Sequence, residues 1–525
     1  MEDVFSRRRF VAGAMALGGS LALGGSMVLA GCSPQRGAKA GRVDSSEPHA
    51  GTEADVIVVG SGLAGVSCAA AAAQRGAKVM LIDKAPFLMS SFLTSKGNVS
   101  IAQVPENKAY WRFEPEAPAT SDTMDAFIDR YRALTEIGRV EVPYPDYDRT
   151  RHLMQESCAT VAWVEQMGIG FEKSFTKEQV GTDTVKPAMT PDSSTEAGVR
   201  LADAFAAELD RLDVQVRLST EAVDLISEGG AVAGVRTADP EGQQELRAKA
   251  VVLATGGFGG SQEHCDRLVP VINQMGFQYL GNAMNTGDGM TLASALGAAL
   301  YDDCWVIPNV IMPSRALTEV DAAFGKLRDF GMKDASTSDK LLVNAAGMRF
   351  VNEADPVTSL ATALADGNSG PYYVLFDSSN ADVVTIIEKG LATGDVMKGE
   401  SIAELAEVSR AFALPSTFET YQQAAIAGVD ESFGKAADKL APYADGPFYL
   451  VPYVPSYVAT MGGVKTDASC RVIAESGDVI PHLYAIGELT HRFLYNRSFV
   501  RHCSNSTALT MGRLTGEALA AHEPA

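Results

Sequence analysis

The stretch from residue 55 to residue 84, DVIVVGSGLAGVSCAAAAAQRGAKVMLIDK, constrains the fold of this chain more than any other. Its opening run at 55–59 is almost continuously apolar, as expected of a strand buried on both faces of a parallel sheet. Gly60, Gly62 and Gly65 then supply a G-x-G-x-x-G turn. An Ala-rich helix is expected to about Gly76, and a second apolar strand at 79–82 ends on Asp83. Each part meets a physical requirement. The first glycine makes a tight turn, the second lets backbone approach a pyrophosphate, and the third lets helix and strand pack closely. The helix start leaves N–H groups and the positive end of the helix dipole free for phosphate. Asp83 stands where an acceptor could hold ribose hydroxyls. Strand, turn, helix, strand and acid follow in order within the ~30 residues such a unit needs, so the chain is expected to bind an ADP-containing cofactor.

Further segments narrow the cofactor. Residues 251–260 read VVLATGGFGG, a third apolar strand running into glycines, and residues 484–488 read YAIGE, a strand followed by Gly and an acid. NTGDG (285–289), VNAAGMRFVNE (343–353) and TMGG (460–463) lie between them, and Ser504-Asn505-Ser506 opens the last helical segment. In this order the motifs resemble the flavoprotein family of fumarate reductases, succinate dehydrogenase flavoprotein subunits, urocanate reductases and 3-ketosteroid dehydrogenases, from residue 55 to the C-terminus. The resemblance implies FAD and an α/β fold, a doubly wound, Rossmann-like FAD-binding domain with an inserted α+β cap. It implies cofactor contacts from Gly60, Gly62, Leu63, Ala64, Gly65, Asp83, Lys84, Ala254, Thr255, Gly256, Gly257, Asp288, Gly462, Gly463, Gly487, Glu488, Ser504, Asn505 and Ser506. The motif positions place the FAD-binding domain at 53–300 and 451–523 and the cap at 301–450, with substrate between them. Within the cap, 344–353 reads as strand-turn-strand around Gly347, and 417–440 as helical.

The first residues read as an address. Ser6-Arg7-Arg8-Arg9-Phe10 precedes an apolar, Gly/Ala-rich stretch that ends in Leu29-Ala30-Gly31-Cys32. Basic residues, an apolar segment and then small residues describe an export signal. The start resembles a twin-arginine signal and the end a lipoprotein processing site, which would make Cys32 a lipidated first residue of the mature protein. Five glycines in the apolar stretch leave it weakly hydrophobic and disfavour the alternative, a transmembrane anchor. Residues 33–52 then form a flexible tether. The protein is expected at the extracytoplasmic face of the membrane, held by that lipid.

A net charge of −21 supplies no basic patch and excludes nucleic acid as a partner. Seven scattered cysteines, with no C-x-x-C and no C-x-x-C-H, give no support to zinc, iron–sulfur or covalent haem. No metal site is expected. With no haem segment in the chain, electrons would come from a separate membrane or cytochrome donor.

The catalytic motifs depart from those of the resembled family. Val357 falls four residues after Glu353, where fumarate reductases carry a proton-donating arginine, and no tyrosine stands between Glu353 and Ser359. Val458-Ala459 occupies the place of the histidine that commonly precedes TMGG, and Ser90-Ser91 replaces a glycine pair. These departures argue against fumarate itself. A dense polar cluster follows the GE pair: His491, Arg492, Tyr495, Asn496, Arg497, Arg501 and His502. Arg501, in RHCSNS, matches the substrate-carboxylate arginine of R-L-G-S-N-S; counting from GE favours Arg497 instead. Either planar fork could grip a carboxylate bidentately. Tyr495, His491 and Tyr457 are candidate proton donors. Three functions stay open. The first is an exported FAD-dependent reductase of the C=C bond of an α,β-unsaturated, anionic small molecule. The others are a dehydrogenase of a 3-ketosteroid-like substrate and a non-catalytic flavin-binding lipoprotein.

Overall fold

The stretch at 55–84 folds as a strand, Glu53–Val59, a helix, Leu63–Gln74, and a second strand, Val79–Ile82. A computed structural model describes residues 52–91, 98–102, 123–136, 140–175, 183–187, 197–274, 276–327, 339–354, 370–500 and 503–521. The expected signal, Cys32, the tether up to residue 51, Val357, Arg501 and His502 lie outside the described residues. No helix among the described residues is long and apolar enough to cross a membrane.

Glu53–Val59 is central in an eight-stranded sheet. It pairs in parallel with Val79–Ile82 on one side and Gly242–Leu253 on the other. Beyond these lie Gln215–Arg217 and Val479–Ala485, both parallel, with Arg471–Ile473 antiparallel at the edge. Glu221–Glu228 and Ala231–Asp239 form an antiparallel meander into Gly242–Leu253. Sequence-distant strands thus end side by side, Val59 opposite Leu253 and Leu253 opposite Ala485. Their C-terminal ends carry Gly60, the TGG glycines and the GE pair to one edge, where open parallel sheets bind ligands.

The Ala-rich composition of Leu63–Gln74 has a packing reason. The C-terminal helix Cys503–Ala521 lies against it so closely that a Cβ on Gly512 would sit 2.3 Å from the Ala64 carbonyl oxygen, and one on Gly516 2.3 Å from that of Cys68. Small side chains on both helices permit that approach. All six described cysteines are buried free thiols.

A second, six-stranded sheet is organised by the long strand Phe448–Met461. Gln278–Tyr279, Trp305–Pro313, Tyr372–Phe376 and Met397–Gly399 pair with it, and Leu341–Val343 pairs with Tyr372–Phe376. The sheet draws strands from both sides of the expected boundaries at 301 and 450. Its outer part builds a separate small core from Leu341, Leu375, Leu405, Leu414, Tyr421 and Phe448.

Two local expectations are corrected. The helix expected over 417–440 runs from Leu414 to Ala427 and stops at Gly428, whose φ of 69° is left-handed; only a short turn, Ala437–Lys439, follows. In the 344–353 segment the strand Leu341–Val343 enters a turn at Gly347, and the return is a single bridge, Val343 to Arg349, rather than a strand. The reason is the side chains that follow. Arg349 and Glu353 are drawn into a buried ion cluster: Glu353 accepts from Arg349 Nε and Nη2 at 2.9 and 2.8 Å and faces Lys435 Nζ at 3.2 Å. Arg349 also reaches Asp430 at 2.8 Å. Lys435 Nζ completes the set by donating to the Lys340 carbonyl and the Tyr421 hydroxyl.

Candidate active site

At the nucleotide end, the three glycines of the turn have different reasons to be glycine. A Cβ on Gly60, which has φ +103°, would lie 2.4 Å from the Ala254 carbonyl oxygen, and one on Gly65 would lie 1.9 Å from that of Gly60. Both are required by the fold. Gly62 is not: the nearest atom to its Cβ would be the Ala254 oxygen at 4.0 Å. It caps the helix with no side-chain hydrogen bond, leaving an open cradle of backbone at a helix N-terminus, which suits a pyrophosphate. Asp83 is already oriented. Its Oδ2 accepts from the Ser61 N–H and hydroxyl at 2.6 and 2.7 Å, and its Oδ1 from the Ala85 N–H at 2.7 Å. Lys84 pairs with Asp288 at 2.6 Å and donates to Thr286 at 2.6 Å, tying the glycine turn to NTGDG. Ser90 and Ser91 accept from Asn282 Nδ2 at 2.9 and 3.1 Å, so the pair that replaces glycines links the same two loops.

The TGG, TMGG and GE motifs meet in one knot. Glu488 is half-buried and accepts from the Thr460 N–H at 2.8 Å and hydroxyl at 3.0 Å. Burial pushes its carboxyl up to about 7 against these stabilising bonds. A Cβ on Gly257 would lie 2.1 Å from both Glu488 Oε1 and Thr460 Oγ1. Gly463, with φ +100°, leaves no room for a side chain beside the Leu489 carbonyl, which accepts from the Val464 N–H at 2.8 Å. Both glycines are required by the packing of the knot itself.

The substrate-side cluster sits on the turn Gly487–Phe493 and the segment to Val500. Arg492 is fully buried and held by four hydrogen bonds. It donates to the Asp303, Tyr495 and Asn496 carbonyls and to Asp303 Oδ2 at 2.6 Å, and it stacks over Tyr144 at 4.4 Å. Asn496 holds residues 140–144 through Val140 and the Tyr144 carbonyl. Arg497 differs. Its guanidinium lies over Trp305 at 4.4 Å, and Nη2 is 3.5 Å from Asp303 Oδ1. Nε is sealed from solvent without a hydrogen-bond partner among the described residues. Trp305 is itself opposite Met461, next to Gly462, so this guanidinium stands beside the TMGG knot.

His491 is buried with both ring nitrogens unpartnered among the described residues, and burial pushes it down to about 3. It is neutral at physiological pH. The Tyr495 hydroxyl is shared with Ser504 Oγ at 2.8 Å and lies 3.3 Å from the Val500 carbonyl; burial raises it well above the usual phenol range. Tyr457 faces elsewhere, its hydroxyl 3.4 Å from Cys265 Sγ and its ring against Tyr279. Asn505 donates to the Asn98 carbonyl at 2.8 Å, and Ser506 Oγ is buried without a partner among the described residues. Sequence reasoning missed Asp303, Trp305 and Thr460. No local signal marks the first two, which reach Arg492 and Arg497 only because the strand beginning at Trp305 pairs with the TMGG strand.

Residues 55–506 match the family described as FAD binding domain. The chain belongs to that family. It is 27% identical over 478 residues to fumarate reductase (cytochrome) of Shewanella frigidimarina, covering 90% of this chain and 78% of that protein. It is 26% identical to 3-oxosteroid 1-dehydrogenase of Mycobacterium tuberculosis, covering 83% of this chain and 93% of that protein. The fold is similar to that of 3-ketosteroid delta1-dehydrogenase from Sterolibacterium denitrificans, with a TM-score of 0.71 and 20% identity over 90% of this chain and all of that one. The protein is an FAD-dependent oxidoreductase of the fumarate reductase and ketosteroid dehydrogenase family. The open cradle at Gly62 fits the pyrophosphate of FAD.

Proposed function

We propose that this protein is an exported, lipid-anchored reductase of the C=C bond of a small α,β-unsaturated anion other than fumarate, fed by a separate membrane or cytochrome donor. The supporting observation is Arg497, a half-buried guanidinium stacked on Trp305 beside the TMGG knot with its Nε unmatched. The fork has no close anion, its Nη2 standing 3.5 Å from Asp303 Oδ1, and a substrate carboxylate would supply one. FAD, when bound and reduced, supplies the hydride to the β-carbon of the double bond. The chain does the rest. Arg497 grips the carboxylate and polarises the conjugated system. His491, held neutral, donates a hydrogen bond rather than a proton. The Tyr495 hydroxyl, backed by Ser504, gives the proton to the α-carbon. Arg501, the other candidate clamp, lies outside the described residues.

The test is anaerobic oxidation of a reduced viologen dye by the FAD-loaded chain, with unsaturated acids (fumarate, urocanate, cinnamates, itaconate, acrylates) beside enone steroids. Turnover of an acid other than fumarate is expected. Turnover of a steroid alone would replace this reading with a ketosteroid-type dehydrogenase, the alternative favoured by the 93% of the mycobacterial enzyme's length that the chain matches. Retained flavin without any turnover would point to a carrier. Mass analysis of the mature N-terminus should find a lipid on Cys32, and an unprocessed or unlipidated N-terminus would remove the anchor.

A further inference from the structure

We infer that Trp305 is a positioning residue: its indole face carries the guanidinium of Arg497 and fixes where that fork meets the substrate. The role rests on Arg497 as the substrate's clamp. Two groups could hold the fork. Asp303 Oδ1 stands 3.5 Å from Nη2, beyond a good hydrogen bond, and its other oxygen is tied to Arg492 Nη2 at 2.6 Å. Asp303 and Arg497 are both half-buried, so this loose pair is screened by water and holds the fork weakly. The guanidinium carbon is 4.4 Å from the Trp305 ring centre, well inside the ~6 Å range of a cation–π contact. The indole is the firmer support.

Two neighbouring arginines show the difference. Arg492 also lies over a ring, that of Tyr144, yet four hydrogen bonds fix it without the ring. Arg149 lies over Phe493 at 4.0 Å and donates to the Thr466 hydroxyl at 3.0 Å. Among the described residues no hydrogen bond fixes Arg497. What carries it must itself be fixed, and Trp305 is. It is 2% exposed and begins the strand Trp305–Pro313, opposite Met461. The two residues before it are held as well. The Asp303 carbonyl accepts from Arg492 Nε, and Cys304 packs on Gly462, where a Cβ would lie 2.7 Å from its Sγ. The indole N–H is buried without a partner among the described residues, so packing alone sets the ring.

A planar fork grips a carboxylate through two parallel bonds, and it binds best when its position is set before the ligand arrives. Trp305 supplies that preorganisation to an arginine whose loose ion contact does not. The indole acts through Arg497, so its loss should appear in substrate affinity and should vanish when Arg497 is absent.

The experiment uses the full FAD-loaded protein. Binding of cinnamate, urocanate and itaconate is read from the flavin difference spectrum, with kcat and KM wherever an acid is reduced. Fluorinated tryptophans introduced at position 305 alone keep the shape of the indole and drain negative charge from its face. One to three fluorines should weaken acid binding stepwise, by about three- to tenfold in all, with KM rising and kcat little changed. Trp305→Leu should weaken binding at least as much; should it not fold, the fluorinated series decides alone. In an Arg497→Ala background neither change should have a further effect. Affinity that ignores fluorination overturns the inference. So does an equal loss in the Arg497→Ala background, which would mark the indole as packing or as a direct contact, and both results leave the clamp standing. The clamp fails by a different result: if Arg497→Ala binds the acids as tightly as the wild type, or the wild type binds none, Arg497 is not the clamp and the role of Trp305 falls with it.

Discussion

Beside the small core of the second sheet, Arg349, Glu353, Asp430 and Lys435 form a buried set of two cations and two anions in which each charge faces an opposite one. Around Asp303 a second set, Arg492, Arg497 and one aspartate, is left one anion short. Both are assembled from residues far apart in sequence; the first is sealed from water, while Asp303 and Arg497 of the second are half-buried. The closed set meets each charge with an opposite one and pins the RFVNE turn to the loop at 430–435. The open set holds one arginine as firmly as the closed set does and leaves its neighbour with an unmet donor. Satisfaction, rather than burial or charge, separates scaffold from site in this molecule. The nucleotide turn repeats the contrast, since Gly65 is demanded by the Gly60 carbonyl while Gly62 faces open space.

The comparison breaks most visibly if a charge is removed from the closed set. Glu353→Ala strands Arg349 and Lys435, and should cost about 3–5 kcal/mol of stability, read as a fall in Tm, with turnover per FAD-loaded molecule little changed. Arg497→Ala should show the opposite pattern. Its kcat/KM should fall by about 2–5 kcal/mol of transition-state binding while Tm holds or rises. Equal losses of stability in both variants would dissolve the distinction.

A pH series sharpens it through the two titratable groups of the GE turn. Glu488 is raised from 4.5 to about 7 in the fold, so its contribution to stability is full below about 4.5 and is lost as pH rises through 7. His491 is lowered from 6.5 to about 3, so its contribution is full above 6.5 and is lost as pH falls. Between pH 4.5 and 6.5 the two slopes oppose. Glu488→Gln should therefore gain stability with rising pH in that window, and His491→Asn should lose it, each by up to about 1.4 kcal/mol per pH unit. Parallel slopes in a denaturation series would refute the assignment.

The smallest effect is expected at the glycines. Gly62→Ala should leave the stability of the FAD-free chain within about 0.5 kcal/mol and weaken FAD binding. Gly65→Ala should destabilise the chain before FAD is added, because its Cβ has no room.

The nucleotide end was legible because its constraints are local. Strand, glycine turn, helix and Asp83 are consecutive, and the apolar runs and the glycine spacing each carry their own signal. The GE and TMGG motifs were legible as strings, yet that Glu488 reads Thr460 follows only from the pairing of distant strands. The substrate end was half legible. The polar cluster after GE stood out, but nothing in it marked Arg492 as spent and Arg497 as open. Tyr457 looked equivalent to Tyr495 beside a motif; its strand turns it toward Cys265 instead. The strand expected after Gly347 gave way because Arg349 and Glu353 found ion partners in the loop at 430–435.

By itself the sequence determined the dinucleotide unit, because apolar runs and glycine spacing act over a few residues and need no partner to be read; that the cofactor is FAD was implied by the resemblance of the ordered motifs to a flavoprotein family. The tertiary structure alone decided which charges are matched. Asp303 and Arg492 are 189 positions apart, and they meet because the strand from Trp305 pairs with the strand that ends in TMGG. Whether a buried arginine is satisfied depends on what the fold brings to it, and that is a property of the packed chain.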